Sequence, residues 1–283
     1  MYQKLKVFFI IFSLSFVFST AYAEKPLKIL AIGNSFSQDA AESFVDDLAK
    51  ADGVLLIIAN MYIGGCSLET HWNNAKGDLA NYSYRKIING DTISIEKQKL
   101  STAIQDEDWD YITFQQVSTF SGLYPSYYPF LPNLLAYVKG ITTNPNVQFA
   151  LHQTWAYAQN TTHSGFVNYK NDQQTMFQAI VAALIPVAKE NNISIIIPAG
   201  TAIQNGRTSF IGDNFCRDGY HLNLSYGRYT ASCTWYEKLF NRTVVGNKFV
   251  PAGMSAEEVR VAQQAAHNAV LNPYVITPIT NQQ

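Results

Sequence analysis

Two short motifs at opposite ends of this chain hold the side chains of a nucleophilic site. Ser35 closes Gly33-Asn34-Ser35, and Asp218 and His221 bracket Asp218-Gly219-Tyr220-His221. A serine hydroxyl becomes a useful nucleophile when an imidazole takes its proton and a carboxylate holds that imidazole in the accepting tautomer. Aspartate and histidine three residues apart at the start of a helix can face the same way, so Asp218 can orient His221 toward Ser35. Each residue also has a plainer role: Ser35 as a helix cap, and Asp218 with His221 as a capping pair. Capping and catalysis are compatible, so the first does not argue against the second.

The elements that must bring these residues together follow from hydrophobic periodicity. Apolar runs at 27–32, 54–62, 109–114, 147–151 and 193–197 read as strands. Helices are expected over 38–50, 68–79, 100–105, 131–139, 166–191 (with Pro186 kinking or dividing it), near Thr201, over 221–240 and over 255–269. Asn89-Gly90 between two β-rich runs is a hairpin signal. The segment 121–128, rich in Tyr, Pro and Gly, reads as a surface loop. Five strands separated by helices predict a parallel sheet covered on both faces, and nothing suggests a second domain over 24–283.

In such a sheet the strand ends share one edge, where open α/β folds bind ligands. Four strand ends are polar here: Gly33-Asn34-Ser35, Gly64-Gly65, Gln115-Gln116 and His152-Gln153. The peptide N–H groups of Ser35 and Gly65, with a side-chain amide of Gln115 or Gln116, would make an oxyanion hole. Asn34, Gly64, Gln153 and Trp155 are the candidate substrate contacts, Trp155 as a platform for a sugar ring, although a tryptophan serves more often in a core.

Residues 1–23 read as a secretory signal peptide: Lys4 and Lys6, an apolar stretch over 7–18, then Ala21-Tyr22-Ala23 before the expected cleavage. The mature chain should be soluble and exported, periplasmic or extracellular, with no membrane span. Charged residues make up 14% of the sequence and the formal net charge is −1, which argues against nucleic acid as a partner. The low charge and many Tyr, Asn and Gln suit a polar, uncharged ligand. Cys66, Cys216 and Cys233 allow one bridge at most; Cys66 with Cys216 is an available pair, and three buried thiols are the favoured state. His71, His152, His163 and His267 have no acidic or cysteine partner at ligand spacing. They read as structural or surface residues; no metal and no cofactor is expected.

Taken in order, Gly33-Asn34-Ser35-Phe36-Ser37 and Asp218-Gly219-Tyr220-His221-Leu222-Asn223 resemble the SGNH, or GDSL-type, esterase superfamily over about residues 28–240. They are most similar to a secreted bacterial branch of unassigned function marked by GNSFS and DGYHLN. Gly64-Gly65-Cys66-Ser67-Leu68 is similar to a segment of sialic-acid O-acetylesterases. The resemblance implies a three-layer α/β/α sandwich with a mostly parallel, five-stranded, flavodoxin-like sheet. It also implies Ser35 as nucleophile, His221 as general base and Asp218 as its orienting carboxylate, with the Ser35 and Gly65 N–H groups as oxyanion donors. The superfamily's GxND block is absent, and Gln115-Gln116 stands in its place. The activity implied is hydrolysis of a small acyl ester, an acetyl group on a carbohydrate. The alternatives are a non-catalytic glycan binder on the same fold, supported by the missing block, and a lipase or thioesterase for longer acyl chains.

Overall fold

The computed structural model describes residues 25–280; the expected signal peptide lies outside the described residues. Its strands are β1 (Leu27–Gly33), β2 (Leu56–Tyr62), β3 (Tyr82–Ile88), β4 (Asp91–Gln98), β5 (Tyr111–Phe114), β6 (Gln148–His152) and β7 (Ile195–Ile197). All seven join one sheet in the order β4-β3-β2-β1-β5-β6-β7. The five parallel strands are the five expected from periodicity, and among themselves they run second, first, third, fourth, fifth. The expected five-stranded sheet is therefore extended to seven. The Asn89-Gly90 hairpin docks antiparallel on the edge of β2, with Ile57 opposite Ile88 and Tyr62 opposite Ser83.

The helices are α1 (Ser35–Ala41), α2 (Val45–Ala51), α3 (Leu68–Lys76), α4 (Leu100–Asp106), α5 (Phe130–Ile141), α6 (Gln173–Glu190), α7 (Ala199–Gly206), α8 (Tyr226–Phe240) and α9 (Ala256–Leu271). Strand alternation divides the apolar side chains between two cores. Ile29 and Ala31 of β1 pack with residues of α1, α2, α7, α8 and α9, whereas Leu30 and Ile32 pack with residues of α3, α4 and α5. A central parallel strand buried on both faces needs apolar residues throughout its buried part, and β1 has them from Ile29 to Ile32.

Three helices depart from the periodicity. The single helix expected over 38–50 is broken into α1 and α2, because Ser232 of α8 intrudes. Its hydroxyl donates to the Ala40 carbonyl at 2.8 Å and accepts the Phe44 N–H at 3.3 Å, taking over groups a continuous helix would use. The helix expected over 166–191 begins only at Gln173: Lys170 and Asn171 have φ of 58° and 53°, and Asp172 caps the new start by accepting the Thr175 N–H at 2.7 Å. The helix expected over 221–240 starts at Tyr226, which leaves His221 on a loop braced by a bridge between Cys216 and Leu222.

Candidate active site

The parallel order reverses direction between β1 and β5, which lie side by side although other elements separate them in sequence. A crevice opens at such a switch point beyond the strands' carboxyl ends. Ser35 lies there, directly after β1 and half-buried. His221 Nε2 is 2.9 Å from Ser35 Oγ, and His221 Nδ1 is 2.7 Å from Asp218 Oδ2. The other oxygen of Asp218 accepts the backbone N–H groups of His221 and Tyr220 at 2.7 and 3.2 Å. Burial raises the Asp218 pKa, but the hydrogen bonds from the His221 ring and from these two amides outweigh it and hold the carboxyl below its ordinary range. An ionised carboxylate on Nδ1 keeps the Nδ1–H tautomer, so Nε2 presents its lone pair to the serine.

The loop carrying His221 is tied to the helix carrying Ser35 by a residue the sequence reading did not single out. Asp39, one turn along α1, is 1% exposed. It accepts the Leu222 N–H at 2.8 Å and pairs with Arg217 at 3.1 Å and Arg228 at 2.7 Å. Arg217 also donates to the Leu222 carbonyl. The available signal was a carboxylate one helical turn beyond Ser35.

Asn34 organises the turn that carries Ser35. Its Oδ1 accepts the Phe36 N–H at 3.0 Å, which fixes the amide's orientation, and its Nδ2 donates to the Cys66 carbonyl at 2.9 Å. Gln115 therefore meets Asn34 Oδ1 through its Nε2, at 2.7 Å, and turns its Oε1 to His152 Nδ1 at 2.8 Å. Full burial pushes the His152 pKa down to about 3, so the ring is neutral and carries its proton on Nδ1. The Gln116 amide is committed as well: its oxygen accepts the Leu68 and Val117 N–H groups, and its nitrogen donates to Ser126. Both glutamines are 2% exposed, so the expectation that one of them turns an amide into the cleft is corrected. They hold the frame behind it. The main-chain N–H groups of Ser35 and Gly65 meet no internal acceptor among the described residues.

The cleft has a volume of about 410 Å³, and Asn34, Ser35, Gly64, Gly65 and His221 all line it. Two expected substrate contacts are elsewhere. Trp155 is fully buried, stacked on Phe36 at 4.2 Å with its indole N–H on the Tyr220 carbonyl, so it supports the site from below. Gln153 is also buried and caps α7, its Oε1 accepting the Thr201 N–H at 2.9 Å. In their place Tyr62, Val117, Ser118, Thr119, His163 and Tyr220 form the walls. Among the described residues no Lys, Arg, Asp or Glu lines the cleft. Cys66, Cys216 and Cys233 are free, and burial pushes the Cys66 thiol up to about 12. Among the described residues no group of three or more His, Cys, Asp or Glu is placed to hold a metal ion, and no helix is long and apolar enough to cross a membrane.

The architecture and the place of Ser35 in it define an α/β protein with the fold of the SGNH hydrolases. A protein from Slackia heliotrinireducens proposed to be an SGNH hydrolase aligns with 76% of this chain and 100% of its own, at TM-score 0.51 and 18% identity. A mutant of Axe2, an acetyl-xylooligosaccharide esterase from Geobacillus, aligns with 75% of this chain and 94% of its own, at TM-score 0.50 and 12% identity. Within that fold the chain belongs to the family described as "Domain of unknown function (DUF4886)", which matches residues 28–269. A crystal structure of a DUF4886 family protein from Bacteroides uniformis covers 90% of this chain and 98% of its own, with TM-score 0.89 and 47% identity. No curated protein matches the chain.

Proposed function

We propose that this protein is an exported serine esterase that removes a small acyl group, acetyl in the first instance, from a neutral carbohydrate. The observation that carries the reading is the continuous line Ser35 Oγ–His221 Nε2, His221 Nδ1–Asp218 Oδ2 at 2.9 and 2.7 Å, opening into a solvent-accessible cleft. Ser35 Oγ attacks the ester carbonyl as His221 Nε2 takes its proton, and Asp218 stabilises the imidazolium. The developing oxyanion is met by the Ser35 and Gly65 N–H groups, which have no other acceptor among the described residues. His221 then protonates the departing alcohol. In the second half it activates water against the acyl-enzyme, and Ser35 recovers its proton. These steps use only groups of the chain.

The substrate class is inferred from the walls. Tyr62, Ser118, Thr119 and Tyr220 are among the residues lining a cleft without formal charge, which suits a polyhydroxylated neutral alcohol. A sugar bearing a carboxylate would find no cation there. The Axe2 protein, with the same fold, is described as acting on acetylated xylooligosaccharides, and this agrees with the chemistry proposed.

One observation favours longer acyl groups instead. An apolar groove of about 380 Å³, walled by Phe120, Leu123, Pro125 and Phe130, has Ser67 and Gln116 at its margin, two residues from cleft-lining Gly65 and one from cleft-lining Val117. A chain-length series of 4-nitrophenyl esters separates the two readings by whether acetate or octanoate is cleaved faster.

The decisive experiment is labelling with a fluorophosphonate followed by peptide mapping, paired with acetate release from acetylated xylooligosaccharide. Labelling at Ser35, and a fall of roughly 10⁴–10⁶ in kcat for Ser35→Ala, are the expected outcomes. Saturable glycan binding without label or turnover would replace the esterase by a glycan-binding protein.

A further inference from the structure

We propose that His163 is the specificity residue of this site: its Nε2–H donates to a hydroxyl or ring oxygen of the neutral sugar that carries the scissile ester. The proposal rests on the esterase reading and names the residue that recognises the alcohol.

The tautomer follows from geometry. His163 Nδ1 accepts the Gly165 N–H at 3.0 Å, so in the neutral ring that nitrogen holds the lone pair and the proton is on Nε2. His163 lines the cleft with Ser35 and His221, and no hydrogen bond engages its Nε2 among the described residues. The other side-chain nitrogens that reach the cleft are occupied: Asn34 Nδ2 on the Cys66 carbonyl, His221 Nε2 on Ser35 and His221 Nδ1 on Asp218. A half-buried donor without an internal partner, on a residue that lines a ligand cleft, is a recognition element waiting for an acceptor.

Its placement is built in. A Cβ on Gly165 would come within 2.5 Å of Thr119 Cγ2, and one on Gly219, at φ 90°, within 2.6 Å of Thr161 Oγ1. Only glycines at these two points allow the 161–165 loop to wedge between the Thr119 wall and the Asp218–His221 loop. The Ala158 N–H adds a hydrogen bond to the Gly219 carbonyl at 2.8 Å. His163 is therefore held before substrate arrives, so little ordering entropy is lost on binding.

The side of the cleft decides which half of the ester it meets. His163 packs edge-on against Tyr220 with centroids 4.7 Å apart, and Tyr220 packs against His221 at 4.1 Å. His221 must return its proton to the departing alcohol, so the alcohol lies on this side of Ser35. The free amides of Ser35 and Gly65 come from the ends of β1 and β2 and take the carbonyl oxygen. Burial, and the neighbouring His221, lower the His163 pKa and favour the neutral ring, which preserves the Nδ1 lone pair for Gly165 and so leaves the ring's one proton on Nε2.

The test compares kcat/KM for acetylated xylooligosaccharide with that for 4-nitrophenyl acetate, whose alcohol offers no hydroxyl beside the ester. In His163→Phe the ratio of the two falls roughly tenfold, the loss of one hydrogen bond to a neutral partner, and in His163→Gln, which keeps a donor, much of it returns. A purely structural role would lower both substrates together, and an unchanged ratio in the Phe variant overturns the proposal. Affinity for the same oligosaccharide in the Ser35→Ala background reads the contact without turnover: it weakens roughly tenfold on adding His163→Phe, and equal affinity, or none in either variant, again overturns it. A parent protein inert on both esters and unlabelled at Ser35 refutes the esterase reading separately, and the affinity arm then decides on His163 alone.

Discussion

Replacing Asp39 with alanine tests whether the two halves of the Ser35–His221–Asp218 line are held together by the link between α1 and the 217–222 loop. Asp39 is 1% exposed and takes the Leu222 N–H, Arg217 and Arg228. Removing one partner of a buried charge cluster costs about 3–5 kcal/mol when the remaining charge stays buried. Here the arginine side chains keep 33% and 25% of their exposure and can rehydrate, so the loss is discounted to roughly 2–3 kcal/mol. In a chain of this size that lowers the melting temperature by about 4–12 °C. Activity should fall further than the folded fraction. Leu222 is the neighbour of His221, and under the proposed mechanism a shift of about 1 Å between His221 and Ser35 costs on the order of 10²-fold.

The assay is esterase turnover at a temperature where calorimetry shows the variant fully folded. Asp39→Asn is the informative companion: it keeps an oxygen for the Leu222 N–H but removes the charge opposite both arginines. If the Leu222 bond sets the register of the loop, the Asn variant retains most turnover while losing stability; if the ion pairs set it, both fall together. An Asp39→Ala protein with parental melting temperature and parental kcat/KM would refute the docking argument outright.

Other expectations follow from the same geometry. Asp218→Asn should lower kcat by roughly 10⁴ with little change in fold, because the amide no longer enforces the Nδ1–H tautomer of His221; steady-state kinetics with a circular-dichroism control checks this. Gln115→Leu strands the His152 Nδ1–H and takes one of two donors from Asn34 Oδ1, and should cost roughly 1–3 kcal/mol in urea unfolding, whereas a free oxyanion amide would be lost at little cost to stability. Stability should also fall on acidification. His71 and His152 are fully buried with pKa values pushed down to about 3, while in the unfolded chain they titrate at ordinary values. The unfolded state therefore gains two protons that the native state refuses as the pH drops below about 6.5, removing roughly 4 kcal/mol between pH 8 and pH 5. Urea titrations at several pH values measure it, and replacing either histidine should flatten half of that slope.

The sequence reveals the parallel strands of the sheet and the line Ser35–His221–Asp218 more clearly than it reveals the walls around them, for a physical reason. The apolar runs of β1, β2, β5, β6 and β7 are long or pure enough for periodicity to mark them, and the Asn89-Gly90 turn marks the hairpin. What periodicity cannot mark is a helix interrupted from outside, and Ser232, remote in sequence from α1, is what separates α1 from α2. The helix expected to begin at His221 likewise yields to a loop that Asp39 and the Cys216–Leu222 bridge hold in place.

The same limit applies at the cleft. Polar residues at a sheet's carboxyl edge have two calls on their hydrogen bonds, the substrate and each other, and residue type does not distinguish them. Asn34, Gln115, Gln116 and Gln153 are all spent on the frame, and His152, far from idle, terminates the chain that fixes Asn34. Trp155 follows the same rule: its indole N–H is satisfied by Tyr220, so its ring is free to be buried under Phe36 rather than offered to a sugar. Ser35, Asp218 and His221 were legible because their chemistry requires one specific partner each. His163 was not, because the partner that settles its tautomer is a backbone N–H two residues away, and glycine at 165 looks from sequence like any loop glycine. A cleft of this kind is defined by which donors the frame leaves unused, and among the described residues those include the main-chain amides of Ser35 and Gly65 and the imidazole of His163.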